Sequence, residues 1–301
     1  MELILVVVGA IAVTALAQRK GMQPPLVLVV VGILVSMLPG FEGIELESEV
    51  LLSVVLPPLL YSAALGFSFP TFLRNIRPIL GLGVVLVVVT AFAVAAVASW
   101  LVGPLTFGVA LVLGAVVAPP DAVTAVAVGR KLGLPRKVMA ILTGESLVND
   151  AAALALFSIA VTQVAGTESF LADHPVLLFG YSAVVGTLLG IALGWVTLWI
   201  RRRLANPALE TVQGLMVPFA AFLTAEHLHA SGVLAVVAAG FVAGHGSLTA
   251  GFQTRLQERH VWHAVDVALE AFVFAYIGLQ LRFVLEDLHE AHESLVEVAA
   301  G

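Results

Sequence analysis

The chain has 301 residues, 60% of them hydrophobic and 11% charged, and a mean hydropathy of +1.06. Soluble domains are about 45–50% apolar and about 25% charged, and apolar runs of about 20 residues indicate membrane-spanning helices and not alternating barrel strands. That composition excludes secreted disulfide scaffolds, nucleic-acid modules and most soluble enzymes; the lack of cysteine excludes thiolate metal sites and cysteine nucleophiles, and the net charge of −6 informs only through where the charges fall.

Ten apolar segments read as spans: 2–18, 24–40, 49–67, 77–102, 105–129, 136–164, 174–200, 209–228, 231–248 and 263–284. Residues 293–301 read as the opening turns of an eleventh. Only Met1 and Glu2 precede the first run, with no basic n-region and no convincing cleavage site, so it is read as a retained span. Arg19 and Lys20 follow span 1, and Arg74 and Arg77 follow span 3. Arg130, Lys131, Arg136 and Lys137 follow span 5; Arg201, Arg202 and Arg203 follow span 7; Arg255 and Arg259 follow span 9. Arg282 alone lies on the other side. Even-numbered connections are acidic, with Glu42, Glu45, Glu47 and Glu49 after span 2 and Glu168 and Asp173 after span 6. The positive-inside rule makes the odd connections cytoplasmic and the N-terminus external.

Ionisable residues inside spans are costly and are functional candidates by default. In span 3, Tyr61 and Ser62 follow Pro57-Pro58 and are candidates to line a cavity. In span 5, Asp121 lies nine residues from Arg130, roughly 14 Å along a helix and near the middle of a bilayer core about 30 Å thick. Pro119 and Pro120 precede it, so the helix is expected to break there. Unwound backbone at that depth belongs in a protein-lined cavity, where freed carbonyls beside a carboxylate suit a cation. In span 6, Asp150 lies thirteen residues from Lys137, roughly 20 Å deep on an antiparallel helix. Ser146 shares its face, four residues earlier. Asn149 points elsewhere, and it or Ser146 alone would read as helix-packing glue. Glu145 reads as a structural ion-pair member. Gly186 and Gly190 in span 7 suggest close helix packing. Glu226, His227 and His229 end span 8; His-x-His is a metal-ligand spacing, but a solvated interfacial cluster is preferred. The stretch 286–293 reads as an external loop.

The run GESLVNDAAALALF, Gly144 to Phe157, resembles the signature of bacterial sodium/proton antiporters of the monovalent cation/proton antiporter superfamily, the NhaP-like exchanger branch. LPPLLYSAAL at 56–65, APPDAVTAVAVGRKLGLP at 118–135, HASGVLAVVAAG at 229–240 and AYIGLQL at 275–281 are similar to the same family, in its order. The resemblance implies an all-α polytopic membrane protein of thirteen spans with an external N-terminus in the plasma membrane. It also implies a homodimerising scaffold and a mobile core with two crossed broken helices. By position, 1–75 would be scaffold, 76–165 the first half of the core, 166–208 a linker span and 209–301 further scaffold and the start of span 11. The second inverted repeat would be incomplete, lying beyond residue 301, so the chain resembles a truncated exchanger and is itself expected to be silent in transport.

The resemblance further implies roles. Asp150 would be the shared ion- and proton-binding aspartate, and Asp121 that of the broken helix. Asn149 would be the Asn of an Asn-Asp pair, which goes with electroneutral exchange, and Ser146 a cation-coordinating serine. Glu145 would pair with an arginine on a later span. Pro120-Asp121-Ala122 stands where many members have Thr-Asp-Pro, and Ser62 where some have glutamate. The expected function is exchange of Na⁺, with Li⁺ or K⁺ as alternatives, for protons, serving pH homeostasis. No cofactor, enzymatic step or nucleic-acid partner is expected; the partners are the bilayer, the ions and a second copy. The competing readings are a non-transporting fragment or scaffold and an intramembrane aspartyl protease, whose Gly-x-Gly-Asp flank neither aspartate has.

Overall fold

The computed structural model describes residues 2–38, 48–103, 105–120, 125–126, 128–129, 132–165, 175–204, 206–246 and 252–290. Glu42, Glu45, Glu47, Asp121, Arg130, Lys131, Glu168, Asp173 and the 293–301 segment lie outside them. All regular structure among the described residues is helical, and each of the ten apolar segments contains helix. Five helical stretches are long and apolar enough to cross a bilayer: Ile76–Leu101, Arg136–Ala165, Leu177–Leu204, Pro207–His227 and Gln253–Leu285. Five shorter apolar helices account for the other segments. Large side chains point outward in numbers that water would not tolerate, among them Leu5 and Val8 at 60% exposure and Trp100 at 82%.

The chain forms two compact units, 1–55 with 258–301, and 56–257. In the first, α1 (Glu2–Arg19) ends where Gly21 takes a left-handed φ of +69° and the Met22 N–H returns to the Ala17 carbonyl at 3.0 Å. The next helix, α2 (Pro24–Ser36), opens on two prolines, tolerated because first-turn N–H groups have no helical acceptor. A short α3 (Ser48–Val54) follows. The last helix among the described residues, α13 (Phe252–Glu290), contributes Ala271, Ala275, Tyr276 and Leu279 to a core shared with Val6, Ala10 and Leu28. Gly32 and Gly278 bring α2 and α13 backbone to backbone: a Cβ on Gly32 would stand 2.9 Å from Gly278 Cα. Arg282 donates to the Ser36 carbonyl at the end of α2 across 3.5 Å, a cation on a helix C-terminus. This gives the one basic residue outside the charge alternation a local partner.

The second unit begins with α4 (Leu56–Gly66), α5 (Phe69–Arg74) and α6 (Ile76–Leu80). A π-helical turn over Gly81–Leu86 leads into α7 (Val87–Leu101), then α8 (Phe107–Val117) and α9 (Arg136–Ala165). It continues with α10 (Pro175–Leu204), α11 (Pro207–His227) and α12 (Gly232–Gly246). Packing follows small residues. Gly186, Gly190 and Gly194 line one face of α10, where Cβ atoms would meet Ser231, Ala235 and Val242. The close packing expected of Gly186 and Gly190 is therefore with α12. The other side of α12 meets α4, with Gly240 against the Tyr61 carbonyl and Gly244 against that of Leu65. Helices α7, α8 and α9 share a core of Val87, Ala91, Ala115, Ala118, Ala152, Ala153 and Leu156.

Several sequence expectations change. Span 3 is two helices, because a turn at Val55 lets Pro57 and Pro58 fall in the first turn of a new helix. Span 10 begins eleven residues earlier than expected, so Arg255 and Arg259 are helical and not in a connection. At its other end the helix reaches Glu290, correcting the loop expected over 286–293 for its described part. Hydropathy reports the lipid-facing length of a helix, whereas Arg, Glu, Gln and Leu carry it on into water at little cost in helix propensity. At the outer end of span 8, His229 holds a left-handed φ of 54° and closes α11, with Ala230 N–H on the Ala225 carbonyl at 2.9 Å. Glu226 Oε1 accepts from Gly232 N–H at 3.4 Å, at the start of α12.

Candidate functional site

The double proline coincides with the end of a helix. The helical run of α8 stops at Val117, Ala118 N–H closes it on the Gly114 carbonyl, and Pro119 and Pro120 are non-helical. A proline amide has no hydrogen to give the preceding turn and its ring crowds that turn's carbonyl. The chain beyond has helical residues at 125–126 and 128–129. Asp121 lies outside the described residues.

On the neighbouring helix, Asn149 is 1% exposed and sends its side chain across to the break. Its Nδ2 donates to the Pro120 carbonyl at 3.2 Å, and its Oδ1 accepts from the Asp150 N–H at 2.7 Å. One amide thus ties the unwound backbone after α8 to α9 at the residue next to Asp150. The sequence singled out Asn149 either as packing glue or as half of an Asn-Asp pair; the geometry gives it a joining role. Both amide functions are in use, as burial in an apolar setting requires.

Asp150 and Ser146 are half-buried on α9, one helical turn apart, and Glu145 is buried at 9% exposure one residue before Ser146. Pro120 is exposed and Pro119 half-buried. Ser62 is half-buried on α4, beside Tyr61, which is fully buried. Among the sequence candidates, the structure therefore brings Pro120 and Asn149 into contact, with Asp150 joined through its backbone.

The sequence did not single out the π turn that backs this stretch of α9. A Cβ on Gly83 would lie 3.2 Å from the Glu145 carbonyl oxygen, 3.3 Å from Val148 Cβ and 3.4 Å from the Asn149 nitrogen. Next to it, Gly144 of α9 faces Ile79 of α6 and Phe67. The available signal was the pair Gly81 and Gly83 interrupting a run of branched aliphatic residues, where intact helix gains nothing from glycine. Where α9 passes behind the candidate carboxylate, then, its neighbour lacks a side chain and carries an extra residue in its turn.

Comparisons with known proteins agree with this architecture. The family model described as sodium/hydrogen exchanger, transmembrane, matches residues 3–300. An uncharacterized Na⁺/H⁺ exchanger of Mycobacterium tuberculosis is 33% identical over 290 residues, covering 96% of this chain and 53% of that protein. The Na⁺/H⁺ antiporter NhaH of Halobacillus aidingensis is 30% identical over 290 residues, covering 91% of this chain and 72% of the relative. The chain thus spans about half the length of the mycobacterial relative. Among solved structures, the sodium proton antiporter MjNhaP1 of Methanocaldococcus jannaschii superposes with a TM-score of 0.74 at 18% identity, over 92% of this chain and 69% of that one. With a family model covering nearly every residue and an antiporter fold in its helices, this multi-pass membrane protein belongs to the sodium/hydrogen exchanger family.

Proposed function

We propose that the protein is a secondary active transporter that exchanges Na⁺ for H⁺ at Asp150. The observation that carries this reading is the bond from Asn149 to the Pro120 carbonyl, which holds a proline-broken segment beside a membrane carboxylate. A carboxylate at that depth can be neutralised by a proton or balanced by a cation, but it holds both poorly. Competition for one group, combined with access from alternate sides, gives obligatory exchange. Asp121 and Ser146 supply oxygen ligands, and proline-freed carbonyls at the break complete the set, in the manner of interrupted transporter helices. Glu145, Pro119 and Ser62 support the site. Li⁺ and K⁺ compete for the same oxygens, and cavity size decides among them.

Asn149 is neutral and cannot titrate as a second carboxylate, so the exchange moves one cation for one proton and no net charge. The N-terminus is external in the plasma membrane. The chain works as a homodimer in which residues 1–75 and 209–301 belong to the scaffold and 76–165 to the moving core, with 166–208 linking them. NhaH and MjNhaP1, named for sodium/proton antiport, support the substrate pair.

The test is dissipation of a pH gradient in proteoliposomes on addition of Na⁺, Li⁺ or K⁺. It is run on this chain and on the chain extended to its relatives' length with the C-terminal part of the mycobacterial relative. Exchange by the extended form is expected to vanish in Asp150→Asn and to ignore an imposed potential, which biases a net charge by about 2.3 kcal/mol per 100 mV. Cation-dependent proton flux surviving in Asp150→Asn overturns the assignment of Asp150, and a rate that follows the potential overturns the electroneutral stoichiometry.

A further inference from the structure

We infer that the π turn at Gly81–Leu86 is a positioning element for the cation site, and that Gly83 is its key residue; this rests on Asp150 being the site of cation binding. A π turn accommodates one residue more than an α-helix needs, loses regular backbone bonding and persists where something gains from it, frequently a functional site. Here it occurs once among the described residues, in a 26-residue apolar stretch that otherwise runs as α-helix from Ile76 to Leu101.

The surroundings say what gains. Gly83 is buried, and the three atoms nearest to its missing Cβ all belong to one stretch of α9: the Glu145 oxygen at 3.2 Å, Val148 Cβ at 3.3 Å and the Asn149 nitrogen at 3.4 Å. Two of the three are main-chain atoms of a helix and cannot rotate aside. Gly81, two residues earlier in the same turn, is exposed, and a Cβ there would meet nothing within 4 Å beyond its own stretch of helix. The turn therefore presses one glycine, and not the other, against the backbone that carries Asn149 and Asp150. Asn149 in turn holds the Pro120 carbonyl at 3.2 Å. A shift of α9 by a few tenths of an ångström at residues 145–149 is transmitted to that bond, and so to the spacing between the broken segment and the carboxylate. Gly83 acts through α9 and touches neither ion nor proton.

The pair Gly81 and Gly83 provides an internal control, because alanine at either changes helix propensity alike while only one meets a neighbour. The experiment is Na⁺- and Li⁺-dependent thermal stabilisation of the 301-residue chain in lipid nanodiscs, titrated at several pH values, for the unmodified protein, Gly81→Ala, Gly83→Ala and Asp150→Asn. Stabilisation by a ligand follows its concentration relative to its dissociation constant. In Gly83→Ala the half-saturating cation concentration is expected to rise about fivefold or more, as for a small misplacement of site groups. Its cation-free melting temperature stays near that of Gly81→Ala, which titrates like the unmodified chain. In an Asn149→Ala background, Gly83→Ala is expected to add less than about twofold, since both act through one bond. If Gly83→Ala itself lowers the cation-free melting temperature by many degrees, the same comparison is made below its unfolding range by isothermal titration with Na⁺ and with Li⁺, with the same expectation. Titrations of Gly83→Ala by either measurement within about twofold of the unmodified chain, while Asp150→Asn has lost its response, overturn this inference and leave the reading of Asp150 standing. A response retained in Asp150→Asn overturns that reading and this inference with it; none in the unmodified chain overturns this inference, the reading of Asp150 being tested on the extended form.

Discussion

Replacing Asn149 by alanine removes one side chain and two hydrogen bonds, and the two losses are unequal. The Asp150 N–H that meets Oδ1 at 2.7 Å lies within α9, where the carbonyl one turn back is its ordinary acceptor, so deleting Oδ1 costs little. The bond from Nδ2 to the Pro120 carbonyl at 3.2 Å joins two segments, Pro120 lying beyond the end of α8, so α9 offers it no such substitute. If water replaces the amide, the loss is about 0.5–1 kcal/mol, the usual value for a hydrogen bond between membrane helices. If the carbonyl is left unpaired, the loss reaches about 3 kcal/mol. A drop of about 1 kcal/mol corresponds to roughly 2–4 °C in melting temperature for a chain of a few hundred residues. The assay is thermal unfolding in nanodiscs without added cation, with Asn149→Asp measured beside it at about pH 5 and about pH 10, below and above the raised range documented for buried carboxyl groups. Protonated aspartic acid can donate to the Pro120 carbonyl and the carboxylate cannot, so Asn149→Asp should approach the unmodified chain at low pH and fall below it at high pH. Stability of Asn149→Ala equal to that of the unmodified chain, or an Asn149→Asp deficit that does not depend on pH, refutes the joining role.

Gly190→Val should cost about 1–3 kcal/mol or prevent folding, because its Cβ meets the Ala235 backbone carbonyl of α12; Gly180→Val, with open space around it, should be tolerated, and monodisperse yield in size-exclusion chromatography separates the two. Arg282→Ala should lower the melting temperature through loss of about 0.5–1 kcal/mol at the end of α2, with Arg282→Lys recovering part of it. A reporter fused after Arg203 should be cytoplasmic and one near Glu168 external, as scored by cysteine or phosphatase labelling in cells; the opposite pattern overturns the orientation drawn from the basic residues.

Most of the helical layout was legible because the bilayer imposes one strong rule, that backbone in hydrocarbon must be helical, and apolar run length reports it directly. The double proline was legible for the same reason: the side chains forbid the helix locally, and α8 does end there. The close approach at Gly186 and Gly190 could be anticipated from spacing alone, though not that α12 was the partner. Helix ends were poorly legible. Arg255, Arg259, Glu286 and Glu290 are charged, yet all are good helix formers, so polarity marked the edge of the apolar run and not the end of α13.

Asn149 and Gly83 show where single-residue reading runs out. An asparagine inside a span announces only that its amide needs a partner; whether that partner is a neighbouring helix, an ion or a freed carbonyl depends on what folds opposite it. The sequence placed Pro120 and Asn149 twenty-nine positions apart and supplied separate reasons for each, a broken backbone and a polar side chain. The structure makes them one feature, because the carbonyl of Pro120, beyond the end of α8, accepts the hydrogen bond that the buried amide requires. Gly83 is harder still, since its contribution is the absence of an atom. A glycine between branched aliphatic residues is costly unless backbone comes close, and that cost is the only trace it leaves in the sequence. The residues on which the proposed site depends thus divide by chemistry: carboxylates and prolines declare themselves by what they exclude, whereas the amide and the glycine acquire meaning only once α9 is packed against its neighbours.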